Sequence, residues 1–238
     1  GAEMILALDR VSVGLPAMWA AKKLGKKFVV KVVGDYAWEQ GTQRFGITES
    51  LDDFVKRQRV PFPVRMLRTI ETRVASSASR VIVPSQYLKN VVMEWGIGEQ
   101  QIAVVYNGIA LPLSTTPPTN RPHGFLIVSV GRRVPWKGFE AIERIAAEEK
   151  DWSVYIAQGL PRGEALGWVE AADVFVLNSR YEGLSHALLE AIALQTPIIT
   201  TSAGGNTELV THGETGIVIP PGDEDAPRDA LSQAAAAP

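Results

Sequence analysis

Short apolar runs, many of them β-branched, recur along this chain, and most are followed by a stretch of helical length. FVVKVV at 28–33, VIVPS at 81–85, FLIVSV at 125–130, WSVYIA at 152–157, VFVL at 174–177 and IITT at 198–201 are the clearest. Runs this short and this continuously apolar suit strands covered on both faces. Strands that alternate with helices pair in parallel, because each parallel pair needs a crossover between its members. The expected fold class is therefore α/β.

In the first half the pattern predicts a strand at 4–8, a helix at 15–24 and a strand at 28–33. Pro16 suits a first helical turn and Gly25 a helix stop. Residues 34–63 are polar with scattered aromatics, and a long functional loop carrying one short helix at 51–57 is expected there. A helix at 64–79, a strand ending at Ser85, a helix at 86–95 and a strand at 102–106 follow, and Asn107-Gly108 turns the chain. LPLSTTPPTNRP, residues 111–122, is rich in proline and threonine and has no period, as a linker would be. This gives a first domain at 1–113, a linker at 114–122 and a second domain at 123–238. Helices at 138–148, 165–172, 184–194 and 207–211 then alternate with the remaining strands, the last at 216–219. The opening GAEMILALD enters a strand with no element before it, which implies upstream sequence or a first strand in a small sheet. The closing DALSQAAAAP reads as a helix that frays or is cut short.

Lysine plus arginine (24) nearly cancels aspartate plus glutamate (26), so no overall field favours nucleic acid. The absence of cysteine excludes thiolate chemistry and fits a reducing compartment, with cytoplasm the expectation. No run approaches the roughly 18 apolar residues that span a bilayer. His123, His186 and His212 lack metal-ligand spacing, and Asp223-Glu224-Asp225 reads as a solvated acidic turn, so no metal is expected. Lys22, Lys23, Lys26 and Lys27 beside Trp19 complement a helix dipole; a sharper reading is contact with anionic lipid.

Three constellations bear chemistry. In VGRRVPWKGFEAI a strand ends at Gly131 and a helix begins past Gly138, so Arg132 and Lys137 fall where open α/β sheets bind anions. In NSRYEGLSHALLEA the glutamates Glu182 and Glu190 lie on either side of the expected helix start. A helix starting near Leu184 puts Glu182 in the loop mouth and Glu190 about 9 Å along the axis. Glu190 sits in the nearly all-apolar ALLEAIAL, where a carboxylate needs a reason, and vicinal hydroxyls are suitable donors to it. The amides of Gly183, Leu184 and Ser185 form an anion-friendly helix start. In SAGGNTELV, Gly204-Gly205 permits close backbone approach to a ligand.

In this order and spacing, GRRVPWKG, YEGLSHALLEA, QTPIITTSAGGNTELV and GETGIVIPPGD, with VIVPSQYLKN and VVYNGI before them, the chain closely resembles the family 4, or group 1, retaining glycosyltransferases. The resemblance implies the GT-B fold, two facing Rossmann-like parallel-sheet domains. It implies that Arg132 and Lys137 neutralise a donor diphosphate and that Glu190 binds the nucleotide ribose. Glu182, with Gly183 to Ser185, would hold the transferred sugar. Glu182, Arg132 and Lys137 are then the catalytic set, and Gly131, Arg132, Lys137, Glu182, Gly183, Leu184, Ser185 and Glu190 the donor set. The cofactor expectation is none: a nucleotide-diphosphate sugar is the substrate and no metal takes part. A hexose would pass to a lipid-linked or polysaccharide acceptor, peripherally at the inner face of the cell membrane. The alternative is a degenerate, non-catalytic module that binds sugar nucleotide or a partner chain. The sequence departs from the family in the absence of the upstream glycine-rich loop, so the first domain is expected to be partial. After 28–33 it has KVVGDYAWEQG where the family carries a histidine, leaving Asp35 or Glu39 as acceptor-side groups. A strand-helix unit is expected to be missing after YIAQG, and the family's final crossing helix after residue 238.

Overall fold

In a computed structural model, which describes residues 2–236, the chain divides into two compact units between Asn107 and Gly108. Gly1, of the opening GAEMILALD, and Ala237 and Pro238, of the closing DALSQAAAAP, lie outside the described residues.

The first unit runs β1 (Met4–Ala7), α1 (Gly14–Leu24), β2 (Lys27–Lys31), α2 (Tyr36–Arg44), α3 (Leu51–Lys56), α4 (Phe62–Ser77), β3 (Arg80–Val83), α5 (Gln86–Glu94) and β4 (Ile102–Val104). All pairings are parallel, in the order β1-β2-β3-β4. α1 stops at Gly25, whose φ of 62° is the left-handed conformation glycine adopts without a Cβ penalty. Within residues 34–63 the short helix expected at 51–57 is α3, while α2 is a second helix where loop was expected. α2 is too polar to show an apolar stripe, and its start is fixed by carboxylates. Asp35 accepts from Trp38 N, while Glu71, from α4, accepts from Tyr36 N at 2.8 Å and Ala37 N at 2.9 Å.

The second unit runs β5 (Phe125–Val130), α6 (Phe139–Ala146), β6 (Trp152–Ala157), α7 (Arg162–Glu170), β7 (Val174–Leu177), α8 (His186–Ala193), β8 (Ile198–Thr201), β9 (Ile217–Ile219) and α9 (Ala226–Ala236). A 3₁₀ turn at Gly204–Glu208 replaces the helix expected at 207–211. The sheet is parallel in the order β6-β5-β7-β8-β9, with both faces covered. Ile127, Val176 and Ile199 pack one way with Ile142 and Ile145 of α6 and Leu231 of α9. Leu126, Val128, Phe175 and Leu177 pack the other way with Val169 of α7 and Leu188 of α8. Neighbours along a strand serve opposite faces, as a pleated sheet requires. α9 continues through the alanine-rich tail as far as Ala236.

Residues 114–122, which composition marks as a linker, are packed onto the second unit. Thr116 N donates to Gly163 O at 2.8 Å, and Arg121 bonds Asp173 Oδ2 at 2.7 Å and Ala171 O at 2.9 Å. A Cβ at Gly167 would run into the Thr116 carbonyl, so that glycine is what lets the segment lie on α7. Proline-rich composition removes periodicity without removing attachment, and the division of the chain falls ahead of this segment.

Candidate active site

The chain leaves β5 towards β6 on one side and returns through α7 to β7 on the other. This reversal opens a crevice beyond the carboxyl ends of β5 and β7, the place where open α/β sheets take ligands. Two loops lead out of it, 131–138 after β5 and 178–185 after β7, and they carry most of the residues singled out from sequence.

Lys137 Nζ and Ser179 Oγ both donate to Glu182 Oε1 at 2.6 Å. The Lys137 and Glu182 side chains are only 15% and 12% exposed, so the pair is held in a poorly solvated pocket where charge-assisted bonds count for more than on the surface. Gly131, at φ 151°, lies against the lysine stem: a Cβ there would be 3.5 Å from Lys137 Cε. Arg132 is exposed, whereas its neighbour Arg133 turns back to pair with Glu143. Glu190, on α8, pairs with Arg162 from the first turn of α7. Arg162 Nε donates to Glu190 Oε1 at 2.9 Å, and Nη2 lies 2.9 Å from the same oxygen.

The loops are locked by backbone. Arg180 N donates to Trp136 O at 2.7 Å, Asn178 Nδ2 to Gly138 O at 3.1 Å, and Thr201 Oγ1 to Ser179 O at 2.5 Å. Gly205 N reaches Glu182 O at 3.1 Å. Gly204, at φ 58°, presses so closely that a Cβ would collide with the Glu182 carbonyl. The glycine pair of SAGGN therefore approaches the protein's own glutamate loop. Ser185 is the N-cap of α8, its hydroxyl accepting from Leu188 N at 3.3 Å, while Gly183 and Leu184 are buried beside it.

The structure thus brings Gly131, Lys137, Glu182, Gly183, Leu184 and Ser185 together at one crevice, with Glu190 on the helix that leaves it. It adds residues that the motifs did not single out. Ser179 lies three positions before Glu182, a spacing that could have signalled it. Arg162 had no local signal, because its partner is 28 residues away.

Asp35 and Glu39 lie in the first unit. Asp35 is 1% exposed, and its two oxygens accept from Trp38 N at 2.7 Å and Trp95 Nε1 at 3.1 Å. Burial and the nearby Glu71 charge push its pKa up to about 7, against the pull of the Trp38 amide, Arg10 and Arg68. Glu71 in turn bonds Arg10 Nε at 2.7 Å, both side chains being buried. Asp35 is therefore a capping group inside a buried ionic cluster. Glu39 is half-buried in the first turn of α2, beside the charge of Arg10. Asp223 Oδ1 of the acidic triplet accepts from Asp225 N and Ala226 N, which starts α9. A cavity of about 500 Å³ lined by Phe125, Val174, Ile198 and Ala234 opens at the amino ends of the strands, away from the crevice.

The family profile described as glycosyltransferase family 4 matches residues 9–111, and the profile described as glycosyl transferases group 1 matches residues 140–237. Among relatives, the Vi polysaccharide biosynthesis protein VipC/TviE of Salmonella typhi is 29% identical, over 55% of this chain and 29% of its own length. A glycogen synthase of Mycobacterium tuberculosis is 29% identical, over 72% of this chain and 48% of its own length. The chain thus spans half or less of the length of these curated relatives. Among solved structures, Anabaena HepE in complex with UDP-glucose superposes with a TM-score of 0.77 at 17% identity, covering 97% of this chain and 68% of that one. Sucrose-phosphate synthase of Thermosynechococcus elongatus gives 0.74 at 19% identity, covering 98% and 64%. These solved structures share the fold, GT-B, and with both units matched in order by the two family profiles the chain belongs to the group 1, family 4 glycosyltransferases.

Proposed function

We propose that the second unit binds a nucleotide-diphosphate sugar in the β5/β7 crevice, and that the protein transfers the hexose, with retention and without a metal, to a lipid-linked or glycan acceptor. The observation that carries the reading is the Lys137–Ser179–Glu182 cluster at the sheet's topological switch, with Glu190 on the helix behind it. Lys137 has three donors and spends one on Glu182, so the others are available to a diphosphate. In transfer the bond from the anomeric carbon to the phosphate oxygen breaks and its electron pair goes to the diphosphate. Lys137, held by Glu182, meets the charge that develops there as a fixed cation in a preorganised site does, and Arg132, exposed on the same loop, supplies a second cation. Glu182 accepts hydrogen bonds from hydroxyls of the sugar, and Glu190 from those of the ribose.

HepE has been solved in complex with UDP and with UDP-glucose, which supports a nucleotide-sugar ligand here, and the name of the polysaccharide biosynthesis relative supports a glycan acceptor. We place the reaction in the cytoplasm, with a peripheral membrane contact through the first unit. Trp19, 58% exposed, and Leu24, 62% exposed, stand near Lys22, Lys26 and Lys27 and support that contact. No described helix is long and apolar enough to cross a membrane.

Turnover of sugar nucleotides by purified protein tests the proposal. R132A should lower kcat about 10²- to 10³-fold, in line with loss of one group that stabilises developing charge. E190A should mainly raise KM for the donor. Unchanged kcat in R132A, together with an unchanged donor KM in E190A, contradicts the proposal.

A further inference from the structure

Glu190 is a carboxylate on a helix whose other members are His and apolar residues, and its side chain is 17% exposed. Its partner is Arg162, 59% exposed at the first position of α7, whose Nε and Nη2 both lie 2.9 Å from the same oxygen, Oε1. The guanidinium thus converges on one carboxylate oxygen rather than gripping both in a fork. Oε2 has no protein donor among the described residues. The carboxylate is therefore pinned by one oxygen and open at the other.

The helix that carries the arginine is anchored. Tyr155 of β6 and Trp168 of α7 stack with centroids 3.6 Å apart, Leu166 and Val169 are buried, and Gly163 O takes the Thr116 amide. α7 is thus fixed to the sheet, and its first turn to the segment at Thr116.

We propose that Arg162 is a positioning residue for the nucleoside half of the donor: it turns the Glu190 carboxylate so that Oε2 accepts a ribose hydroxyl, and so sets the preference for ribonucleotides over deoxyribonucleotides. The proposal rests on the donor-site reading given above. Arg162 acts through Glu190 and needs no contact with the ligand. A salt bridge that merely neutralised a half-buried carboxylate would affect stability and leave ligand preference alone. An arginine that occupied the ribose position would weaken binding, and its removal would tighten it.

The test is calorimetry on the full chain with uridine, adenosine and guanosine diphosphates, each beside its 2′-deoxy and 3′-deoxy forms, and with inorganic pyrophosphate as a ligand lacking the ribose. A hydroxyl bonded to a carboxylate is worth enough to give wild type a preference of about tenfold or more for the ribonucleotide. R162A should shrink that preference to about threefold or less and leave pyrophosphate affinity unchanged, and R162K, which has one nitrogen in place of two, should restore part of it. If R162A keeps the wild-type preference, or binds the ribonucleotide more tightly, the proposal is wrong. E190A, which removes the acceptor, separates the two levels. Preference lost in E190A but kept in R162A overturns the role of Arg162 alone, whereas preference kept in E190A overturns the ribose role of Glu190 as well.

Discussion

Gly204 shows how closely single residues constrain this site. Its φ of 58° costs a non-glycine residue about 1–2 kcal/mol, and a Cβ there would also strike the carbonyl of Glu182. G204A should therefore destabilise the protein by more than that backbone cost and displace the loop that presents Glu182. Gly213 supplies the control, since it has φ 77° and nothing stands within 4 Å of where a Cβ would lie. Urea denaturation should show G204A losing clearly more stability than G213A, with equal losses contradicting the contact. At this scale the sequence exposes residue type and order more readily than partners. Arg132, Lys137, Glu182 and Glu190 stand out in GRRVPWKG and YEGLSHALLEA because charged side chains sit at strand ends or in apolar helix. The service of Gly204 to Glu182, and of Arg162 to Glu190, depends on chain segments brought together by the sheet.

Among the elements, α2 departs furthest from expectation. Its residues, YAWEQGTQR, lack a strong apolar stripe, and its first amides are held by Asp35 locally and by Glu71 from α4. Long-range capping of this kind leaves no trace in a local window, which is why 34–63 reads as loop. The same cap carries a pH signature. The folded-state pKa of Asp35 is raised to about 7, above the unfolded value of about 3.9. The folded state then binds the proton more tightly, so the contribution is fully present below about pH 4 and is lost as pH rises through 7. Relative to D35N, which stays neutral, wild type should lose stability between about pH 4 and 7 and hold a constant difference above that. Melting temperatures across this range check it, and a difference that does not change with pH contradicts it. The strands were far more legible: FLIVSV, WSVYIA, VFVL and IITT fall on β5 to β8 residue for residue, because a strand covered on both faces is continuously apolar.

For the whole molecule, alternation of strand and helix was enough to imply two parallel sheets, and the observed strand order supplies the switch point in the second. That order could not be read from periodicity, since β6 pairs outside β5 and not between β5 and β7. The attachment of 114–122 to α7 was hidden likewise, being made by a backbone amide, an arginine and a glycine far along the chain. Loops locked to one another at the carboxyl ends of β5, β7 and β8 form a preorganised cradle, and everything proposed for this protein depends on that cradle holding a donor diphosphate. Calorimetric titration of wild type and K137A with uridine, adenosine and guanosine diphosphates puts this to the test. At least one of them should bind wild type at a single site per chain, and K137A should weaken it by about tenfold or more, as loss of a charge-assisted bond would. Failure of all three to bind wild type, or equal affinity in K137A, would mean that the cradle is not a diphosphate site.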